Sequence, residues 1–215
     1  MLADSPLGYW RLGEATGSVA ADQRAAHNGT YTNTPALGQA GALFADPATS
    51  VGFNGTSQYV QVPYAAALNT PKFSVEIWAR PNSSAGAYRG VMGSRSYPQG
   101  WTLYQGTDGS WEFWVNSGAD MSSIWSDAPA TANTWYHLVG TFDGTKVLLY
   151  VNGVQASTTA TTTYKAQTVN PLEIGQAQPG GNLYFPGRLE EAAVYGTALT
   201  AAQVQHHYSV GTTGH

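Results

Sequence analysis

Short stretches in which apolar and polar residues alternate recur along most of the chain. In Phe73–Arg80 every second residue is apolar, which places Val75 and Ile77 on one face of an extended strand. These stretches are rich in β-branched and aromatic residues, and they predict β-strands that pack on one face. Four further stretches show the same character: Tyr59–Pro63, Trp111–Val115, Trp135–Phe142 and Lys146–Val151.

Pairs of Asn or Asp followed by Gly separate many of these stretches. Such pairs tolerate positive φ and favour tight hairpin turns. Two of the pairs bracket residues 145–151, which makes this strand the most clearly predicted element. The pairs are Asn28–Gly29, Asn54–Gly55, Asp108–Gly109, Asp143–Gly144 and Asn152–Gly153. Short strands spaced in this way indicate an all-β antiparallel sandwich rather than alternating strands and helices.

One short helix is predicted near the C-terminus. Thr200 and Gln203 have the spacing of a capping box, in which a hydroxyl caps the helix and a glutamine lies three residues later. Val204 and Tyr208 then fall on one face, so the helix should pack as a small lid. The adjacent His206 and His207 are interpreted as a solvated helix end, and residues from 211 onward as a frayed tail or the start of a linker.

The composition supports one folded domain over residues 1–215, with an ordered core over about residues 6–210. Hydrophobic residues make up 42% and aromatic residues 12%, whereas charged residues make up only 10%. A disordered chain would have the opposite balance. No Pro-, Gly- or Ser-rich linker divides the chain, and no internal repeat is visible. The Gly-, Thr- and Ser-rich composition is typical of extracellular β-domains, so we expect a bacterial secreted protein.

Charge and hydropathy exclude two classes of partner. The net charge is −4, and nine Lys and Arg residues are scattered without a cluster, so nucleic acid is not expected as a ligand. No stretch approaches the roughly 20 apolar residues that a membrane span requires. We interpret Met1 as a start added to a fragment of a longer secreted protein, since no signal peptide follows it.

The order of segments resembles the laminin-G-like jelly-roll family of bacterial extracellular proteins, over residues 9–208. Each motif is weak alone, and the series in this order is specific. The motifs are Tyr9–Glu14, His27–Thr30, Val51–Thr56, Tyr59–Pro63, Phe73–Trp78, Trp135–Val139, Tyr150–Gly153, Gly187–Glu191 and Val194–Thr200. The resemblance implies an all-β, two-sheet antiparallel jelly-roll sandwich of the concanavalin-A-like type with one short C-terminal helix. It also implies a structural calcium near one edge and ligand contacts in loops or on the concave sheet.

Catalysis is not expected. Glycoside hydrolases use two carboxylates about 5–10 Å apart, and hydrolases that resemble this fold carry them at alternate positions of one strand. Glu76 and Glu112 are each alone in their predicted strands. Glu190 and Glu191 are adjacent, so a regular strand would point them to opposite faces. The motifs of serine hydrolases, zinc proteases and P-loop enzymes are absent.

A calcium site is predicted between the N-terminal segment and a late strand. Calcium binds six to eight oxygens from carboxylates, amides and backbone carbonyls. Glu14, Asp22 and Asn28 supply such oxygens among Gly residues. The resemblance implies that Glu190 and Glu191 complete the site, with Glu190 replacing the usual Asp. The alternative is that Asp22 and Asn28 only cap turns.

A glycan site needs a flat aromatic ring for the sugar's C–H face and a few polar groups for its hydroxyls. Four tryptophans in predicted strands are assigned to the core: Trp10, Trp78, Trp111 and Trp135. Residues beside Gly- and Ser-rich loops are the candidates for ligand contact: Tyr88, Arg89, Arg95, Tyr97, Trp101, Trp125 and Tyr184. The alternative for the two arginines is a surface ion pair with Glu112 or Asp120.

The sequence therefore predicts a non-catalytic, lectin-like module that targets a larger secreted protein to a polysaccharide or glycan. A second hypothesis is a structural or adhesive domain that contacts neighbouring domains or another protein through the same exposed aromatics. A third is a degenerate polysaccharide-degrading enzyme, which requires a carboxylate pair. The acidic balance disfavours sulfated or uronate polymers, since these attract basic clefts.

Overall fold

The computed structural model describes residues 1–214, which form seventeen short strands, two 3-10 turns and one α-helix. The strands are β1 (Gly8–Trp10), β2 (Val19–Ala20), β3 (Gly29–Thr32), β4 (Ala36–Ala40), β5 (Thr49–Asn54), β6 (Tyr59–Val62), β7 (Phe73–Pro81), β8 (Arg89–Ser96), β9 (Gln99–Gln105), β10 (Ser110–Ser117), β11 (Met121–Pro129), β12 (Tyr136–Phe142), β13 (Lys146–Val151), β14 (Val154–Gln155), β15 (Ala160–Thr161), β16 (Leu172–Ile174) and β17 (Pro186–Tyr195). The 3-10 turns are Leu2–Asp4 and Ala66–Leu68, and the helix α1 is Ala201–Thr213.

The strands form two antiparallel sheets that pack face to face. The nine-stranded sheet has the order β14-β13-β12-β7-β17-β5-β4, with β1 added on β17 and β15 on β13. The eight-stranded sheet has the order β11-β10-β9-β8-β16-β6-β3-β2. The frequent pairing of strands distant in sequence, such as β17 with β5 and β7, is that of a jelly roll. The predicted two-sheet sandwich with one C-terminal helix is confirmed.

The main core lies between the sheets and contains the apolar faces predicted from alternation. Val75 and Ile77 of β7 belong to it, as does Phe113 of β10. Of the tryptophans assigned to the core, Trp10, Trp78 and Trp111 are buried, whereas Trp135 is partly exposed just before β12. The predicted period of two therefore separates inward from outward positions on the long strands.

Three of the five Asn–Gly and Asp–Gly pairs lie in the connections between successive strands, and Asn54–Gly55 begins at the last residue of β5. Asn152 and Gly153 both have positive φ, at 53° and 78°, which a two-residue hairpin turn requires. Asn28–Gly29 is different and does not form a hairpin turn. Gly29 begins β3, and a Cβ atom there would come within 2.6 Å of Val60, so close packing requires glycine.

Helix α1 begins at the predicted capping box. The Thr200 hydroxyl accepts from the Gln203 amide, and the Gln203 side chain accepts from the Thr200 amide. The expectation of a frayed tail from residue 211 is wrong, since the helix continues to Thr213, and the tail's last residue, 215, lies outside the described residues. Within residues 1–214, no helix is long and apolar enough to cross a membrane.

Replacing Thr200 by Ala is expected to lower the free energy of unfolding by about 1 kcal/mol, because the Gln203 amide loses the hydroxyl that accepts its hydrogen bond. The midpoint of thermal unfolding should fall by about 2–4 °C. Thr200→Ser keeps the hydroxyl and serves as the control. An equal loss in both variants would show that the methyl group, rather than the cap, is responsible.

The helix packs on the outer face of the nine-stranded sheet, where a second apolar cluster includes Tyr195 and Val204. The interpretation of His207 as solvated is wrong, because its side chain lies beneath the helix and contacts Glu76 and Asp4. The adjacent His206 is exposed. Glu76 sits at the centre of a buried network that joins the helix to the sheet, with contacts of 2.7 Å to both His137 and Tyr195.

Candidate functional site

The outer face of the eight-stranded sheet carries a group of aromatic side chains on β9 to β11 and at the two ends of β8. Along β10, Trp111 and Phe113 point into the core, so Glu112 and Trp114 point outward. Tyr104 of β9 pairs directly with Glu112, and so does Trp125 of β11 on the other side. Side chains directly across a strand pair share a face, which brings these residues together on one surface.

Three rings form a tightly packed cluster at the centre of this surface. The centroids of Tyr104 and Trp114 are 5.1 Å apart, and Tyr88 lies 5.8 Å from the first and 5.6 Å from the second. All three pairs are edge-to-face, the geometry that aromatic pairs prefer. The cluster holds the Trp114 indole in a fixed orientation.

Arg95 connects this cluster to the β8–β9 turn. Its guanidinium lies over the rings of Tyr97 and Trp114, at 5.2 and 5.6 Å from their centroids. One terminal nitrogen donates to the Tyr104 hydroxyl at 2.6 Å. Its Nε is buried without a partner, so one directed donor stays unused at the centre of the site.

Two side chains at the rim are open to solvent. Tyr97 is 62% exposed and Trp125 is 50% exposed, which is unusual for large rings. Glu112 lies between the two indoles: it accepts from Trp114 Nε1 at 2.6 Å and pairs across from Trp125. Burial raises the pKa of Glu112, a shift that the bond from Trp114 partly offsets. We define the aromatic patch as Tyr88, Arg95, Tyr97, Tyr104, Trp114 and Trp125.

The structure brings together four of the seven predicted ligand residues: Tyr88, Arg95, Tyr97 and Trp125. The prediction for Trp101 is wrong, because its ring is fully buried in the core against Phe73. Residues two positions apart on a strand point to the same face, and Trp101 lies two positions before the core residue Leu103 on β9.

Arg89 and Tyr184 lie away from the aromatic patch. Arg89 binds the carbonyls of Ser83 and Ala85 and the Gln105 side chain, so it holds the loop before β8 in place. Tyr184 packs against Tyr59 with the two rings tilted by 44° and 6.1 Å between their centroids. The alternative of ion pairs from Arg89 or Arg95 to Glu112 or Asp120 is not observed within residues 1–214.

Sequence reasoning missed Tyr104 and Trp114, although a signal for Trp114 was present. The alternation that assigns Trp111, Phe113 and Val115 to the core places Trp114 on the opposite face. In the same way, the core position of Leu103 places the next residue, Tyr104, on the outer face of β9.

The five residues predicted to bind calcium do not fit one metal site. The Asp22 carboxylate accepts four backbone N–H groups, from Tyr9, Arg24, Ala26 and His27. Asn28 Oδ1 accepts from the Asp22 amide. The Glu14 carboxylate accepts from the Ala21 amide and the Tyr31 hydroxyl. The geometry thus matches the alternative reading of Asp22 and Asn28 as turn caps.

Glu190 and Glu191 lie on a bulge of β17 rather than on a regular strand. The register shifts between residues 190 and 193, and Glu191 has a φ of 54°. Glu190 accepts from the Ala42 amide, while Glu191 accepts from Arg11 Nε at 2.8 Å and from the Tyr9 hydroxyl. The expectation that they point to opposite faces is wrong, because both carboxylates lie on the outer side of the nine-stranded sheet.

Calcium binding therefore stays a prediction without support from donor geometry, since within residues 1–214 no three acidic or histidine side chains form a metal cluster. We expect EDTA, or about 10 mM calcium chloride, to change the midpoint of thermal unfolding by less than about 1 °C. Magnesium chloride at equal ionic strength is the control. A calcium-specific rise of several degrees would restore the predicted site.

A pocket of about 340 Å³ lies on the other sheet, beneath helix α1. Its walls include Glu76, Glu191, Asp4 and Asp46. Each of these carboxylates already has a partner: Glu76 and Asp4 contact His207, whereas Glu191 and Asp46 bind Arg11. The pocket therefore offers few free polar groups, and the aromatic patch is the better candidate for a ligand site.

Residues 54–205 match the family model described as the concanavalin A-like lectin/glucanases superfamily. This match covers most of the chain, including every strand of the aromatic patch. No curated protein matches the chain in sequence.

Solved structures with the same fold include binding domains and enzymes. The binding domain of Paraclostridial Mosquitocidal Protein 1 has a TM-score of 0.76 and 15% identity, over 97% of this chain and 53% of that one. Domain 4 of AbnA, an extracellular arabinanase from Geobacillus stearothermophilus, was solved in complex with arabinotriose. It has a TM-score of 0.71 and 20% identity, over 94% of this chain and 97% of that one.

A sialidase from Trypanosoma rangeli, in complex with sialic acid, has a TM-score of 0.70 and 14% identity, over 96% of this chain and 33% of that one. The chain thus spans about half of the mosquitocidal binding domain and a third of the sialidase. At these identities the likeness shows the fold alone.

Proposed function

Because the chain belongs to the concanavalin A-like lectin/glucanase superfamily, we propose that it is a non-catalytic carbohydrate-binding module and that the aromatic patch is its glycan site. The half-exposed indole of Trp125, on the same outer face and the neighbouring strand to the Trp114 indole that Tyr88 and Tyr104 hold, is the observation that carries this proposal. Flat rings of this kind bind the C–H faces of sugars, and the groups next to them decide which hydroxyls fit.

The polar groups in the patch suit a neutral glycan. Glu112 supplies an acceptor next to the two indoles, and the Arg95 guanidinium supplies a positive charge over the Trp114 ring. One cation and one carboxylate give no net charge, and the whole chain carries −4. A sulfated or uronate polymer would meet no basic cleft here.

Two solved structures with this fold support a binding role, since one is named a binding domain and another was solved with arabinotriose. By analogy we propose that the module belongs to a larger secreted protein and directs it to a polysaccharide. A hydrolytic role has less support. Glu190 and Glu191 share one side of the sheet, but they are 1% and 2% exposed and engaged by backbone or side-chain donors.

A glycan array probed with the chain tests the proposal. We expect binding to neutral oligosaccharides, and we expect Trp125→Ala to weaken it by about tenfold or more, because the open stacking surface is lost. Tyr64→Ala is the matched control, since Tyr64 is a 39% exposed ring away from the patch. If the protein bound no glycan on the array but bound a protein partner through the patch, the adhesive alternative would be favoured.

A further inference from the structure

A buried carboxylate lies on the same outer face as the aromatic patch, and neither the fold nor the patch explains it. Leu172 and Ile174 of β16 belong to the core, so Glu173 between them points to the outer face. It is nevertheless only 1% exposed. Residues 175–185 cross over this part of the sheet and cover it.

The cover is packed directly on two glycines of β8. A Cβ atom on Gly90 or Gly93 would come within 2.1 Å or 2.4 Å of the backbone of Ala177. Gly93 pairs with Glu173 on one side and with Thr102 on the other. The absence of side chains at these positions therefore lets the covering segment lie close to Glu173.

Several polar groups under this cover have no hydrogen-bond partner. Both carboxylate oxygens of Glu173 are buried without a partner, and so is the hydroxyl of Thr102. Gln178 on the covering segment also leaves its side-chain oxygen unpaired. Within residues 1–214, no Lys, Arg or His forms an ion pair with Glu173. Burying a carboxylate without a hydrogen-bond or charge partner costs free energy, so Glu173 is a candidate to bind a ligand that supplies this partner.

The side chains around Glu173 leave both of its carboxylate oxygens without a hydrogen-bond donor, and the carboxylate is closed off from solvent. Gln61 pairs directly across from it on β6, close enough to lower the pKa of Glu173 in part, but it makes no hydrogen bond of normal geometry. Burial dominates and raises that pKa to about 7. Tyr59 and Tyr184 lie beside it with their rings 6.1 Å apart, and both are partly exposed.

The unused groups match a primary ammonium better than a hydroxyl or a divalent ion. A sugar hydroxyl brings one donor and no charge, which leaves the carboxylate charge uncompensated. Calcium needs six to eight oxygens and is poorly served by one carboxylate. An ammonium carries one positive charge and three donors, and tyrosine rings attract cations within about 6 Å. A chain of net charge −4 also attracts a cation.

We infer that Glu173, with Tyr59 and Tyr184 beside it, binds the primary ammonium group of an amino sugar. Calling the ligand a sugar rests on the proposed function. The two sites lie in one cross-strand row, since Glu173 pairs with Gly93, Gly93 with Thr102 and Thr102 with Trp114. Three strand spacings separate Glu173 from Trp114 by about 14 Å, so one oligosaccharide can contact both. Entry needs a shift of the cover, whose tip is Gly180 and Gly181.

Calorimetric titration with glucosamine, glucose and N-acetylglucosamine tests the inference. We expect wild-type protein to bind glucosamine at least about tenfold more tightly than the other two, and Glu173→Gln to abolish that preference. Asp143→Asn removes one negative charge from an exposed turn of the other sheet and is the matched control. On wild-type protein, glucosamine should also shift the NMR amide signals of residues 173 and 184.

The outcomes separate this inference from the proposed function. Equal affinity for the three sugars, or a preference that survives Glu173→Gln, would overturn the inference. A crystal structure grown with glucosamine that shows only water at Glu173 would do the same. Neutral glycans that still bind through Trp125 would leave the proposed function standing in that case. A glucosamine preference without any neutral-glycan binding would instead remove the proposed role of the aromatic patch.

Discussion

Replacing Glu76 by Gln is expected to lower the free energy of unfolding by about 3 kcal/mol, because one partner of a buried ion pair is removed and His207 keeps only Asp4 as a counter-charge. Glu76 is fully buried and contacts His137, His207 and Tyr195. For a chain of this length the midpoint of thermal unfolding should fall by about 6–12 °C. His207 belongs to helix α1, whereas His137 and Tyr195 belong to the sheet, so Glu76 joins the two through its side chain.

The pH dependence of this effect identifies the ion pair as its cause. Burial alone would raise the pKa of Glu76, but bonds with His137 and His207 outweigh it and hold the pKa below its ordinary value of 4.5. Its stabilising contribution is therefore complete above pH 4.5 and is lost as the pH falls through the lower, folded-state value.

The pKa of His207 is shifted in the opposite direction, so its contribution to stability changes with pH in the opposite sense. Burial alone would lower its pKa, but Glu76 and Asp4 raise it above the ordinary 6.5, so its contribution is complete below pH 6.5 and is lost as the pH rises through the folded-state value. The difference in stability between wild type and Glu76→Gln should hence be largest between pH 4.5 and 6.5.

Urea unfolding of both proteins across pH 3–9 measures this difference. Glu112→Gln is the control, because Glu112 is only half-buried and has one hydrogen bond, from Trp114. It should cost less than about 1 kcal/mol. A loss for Glu76→Gln that does not vary with pH would show that packing, not the ion pair, holds the helix.

For the Glu76 network, the sequence predicts the strand face but not the partners that are distant along the chain. Alternation along Phe73–Arg80 correctly separates the core face from the face that carries Glu76. Its partner His207 lies 131 residues later, and only the packing of the helix on the sheet brings the two together. A histidine at a helix end is usually solvated, so the local pattern favoured the wrong environment.

The site was only partly predictable for a related reason. The loop composition singled out Tyr88, Tyr97 and Trp125, which the structure brings together on the aromatic patch. The assignment of Trp101 overlooked that Trp101 and the core residue Leu103, two positions apart on β9, must point to the same face. On β17 the bulge at Glu191 interrupts the alternation of inward and outward residues, and nothing local in the sequence marks this bulge. Periodicity thus predicts faces well until a bulge or a crossing segment intervenes.

Replacing Trp114 by Ala is expected to weaken glycan binding by about 30-fold, which corresponds to the roughly 2 kcal/mol that buried aromatic anchors contribute at binding surfaces. The loss has two parts. The variant removes one indole from the patch, and it removes the ring over which Arg95 lies and to which Tyr88 packs. The orientation of the Arg95 donor should therefore also be lost.

Isothermal titration with the best oligosaccharide from the array measures this change. Because the ring is partly exposed, the fold should be retained, which circular dichroism and a thermal scan verify. Tyr64→Ala again serves as the control for removing a surface ring. Unchanged affinity in a folded Trp114→Ala variant would exclude the centre of the patch from the binding site.

The central claim is that glycan binds on the aromatic patch, and NMR of the tryptophan indole N–H groups tests it most directly. The chain has seven tryptophans, each with its own signal, and they report on different parts of the fold. Titration with a bound oligosaccharide is expected to shift the signals of Trp114 and Trp125 and to leave those of the buried Trp10, Trp101 and Trp111 unchanged. Shifts confined to Trp78, which lines the pocket beneath helix α1, would place the ligand on the other sheet and contradict the account.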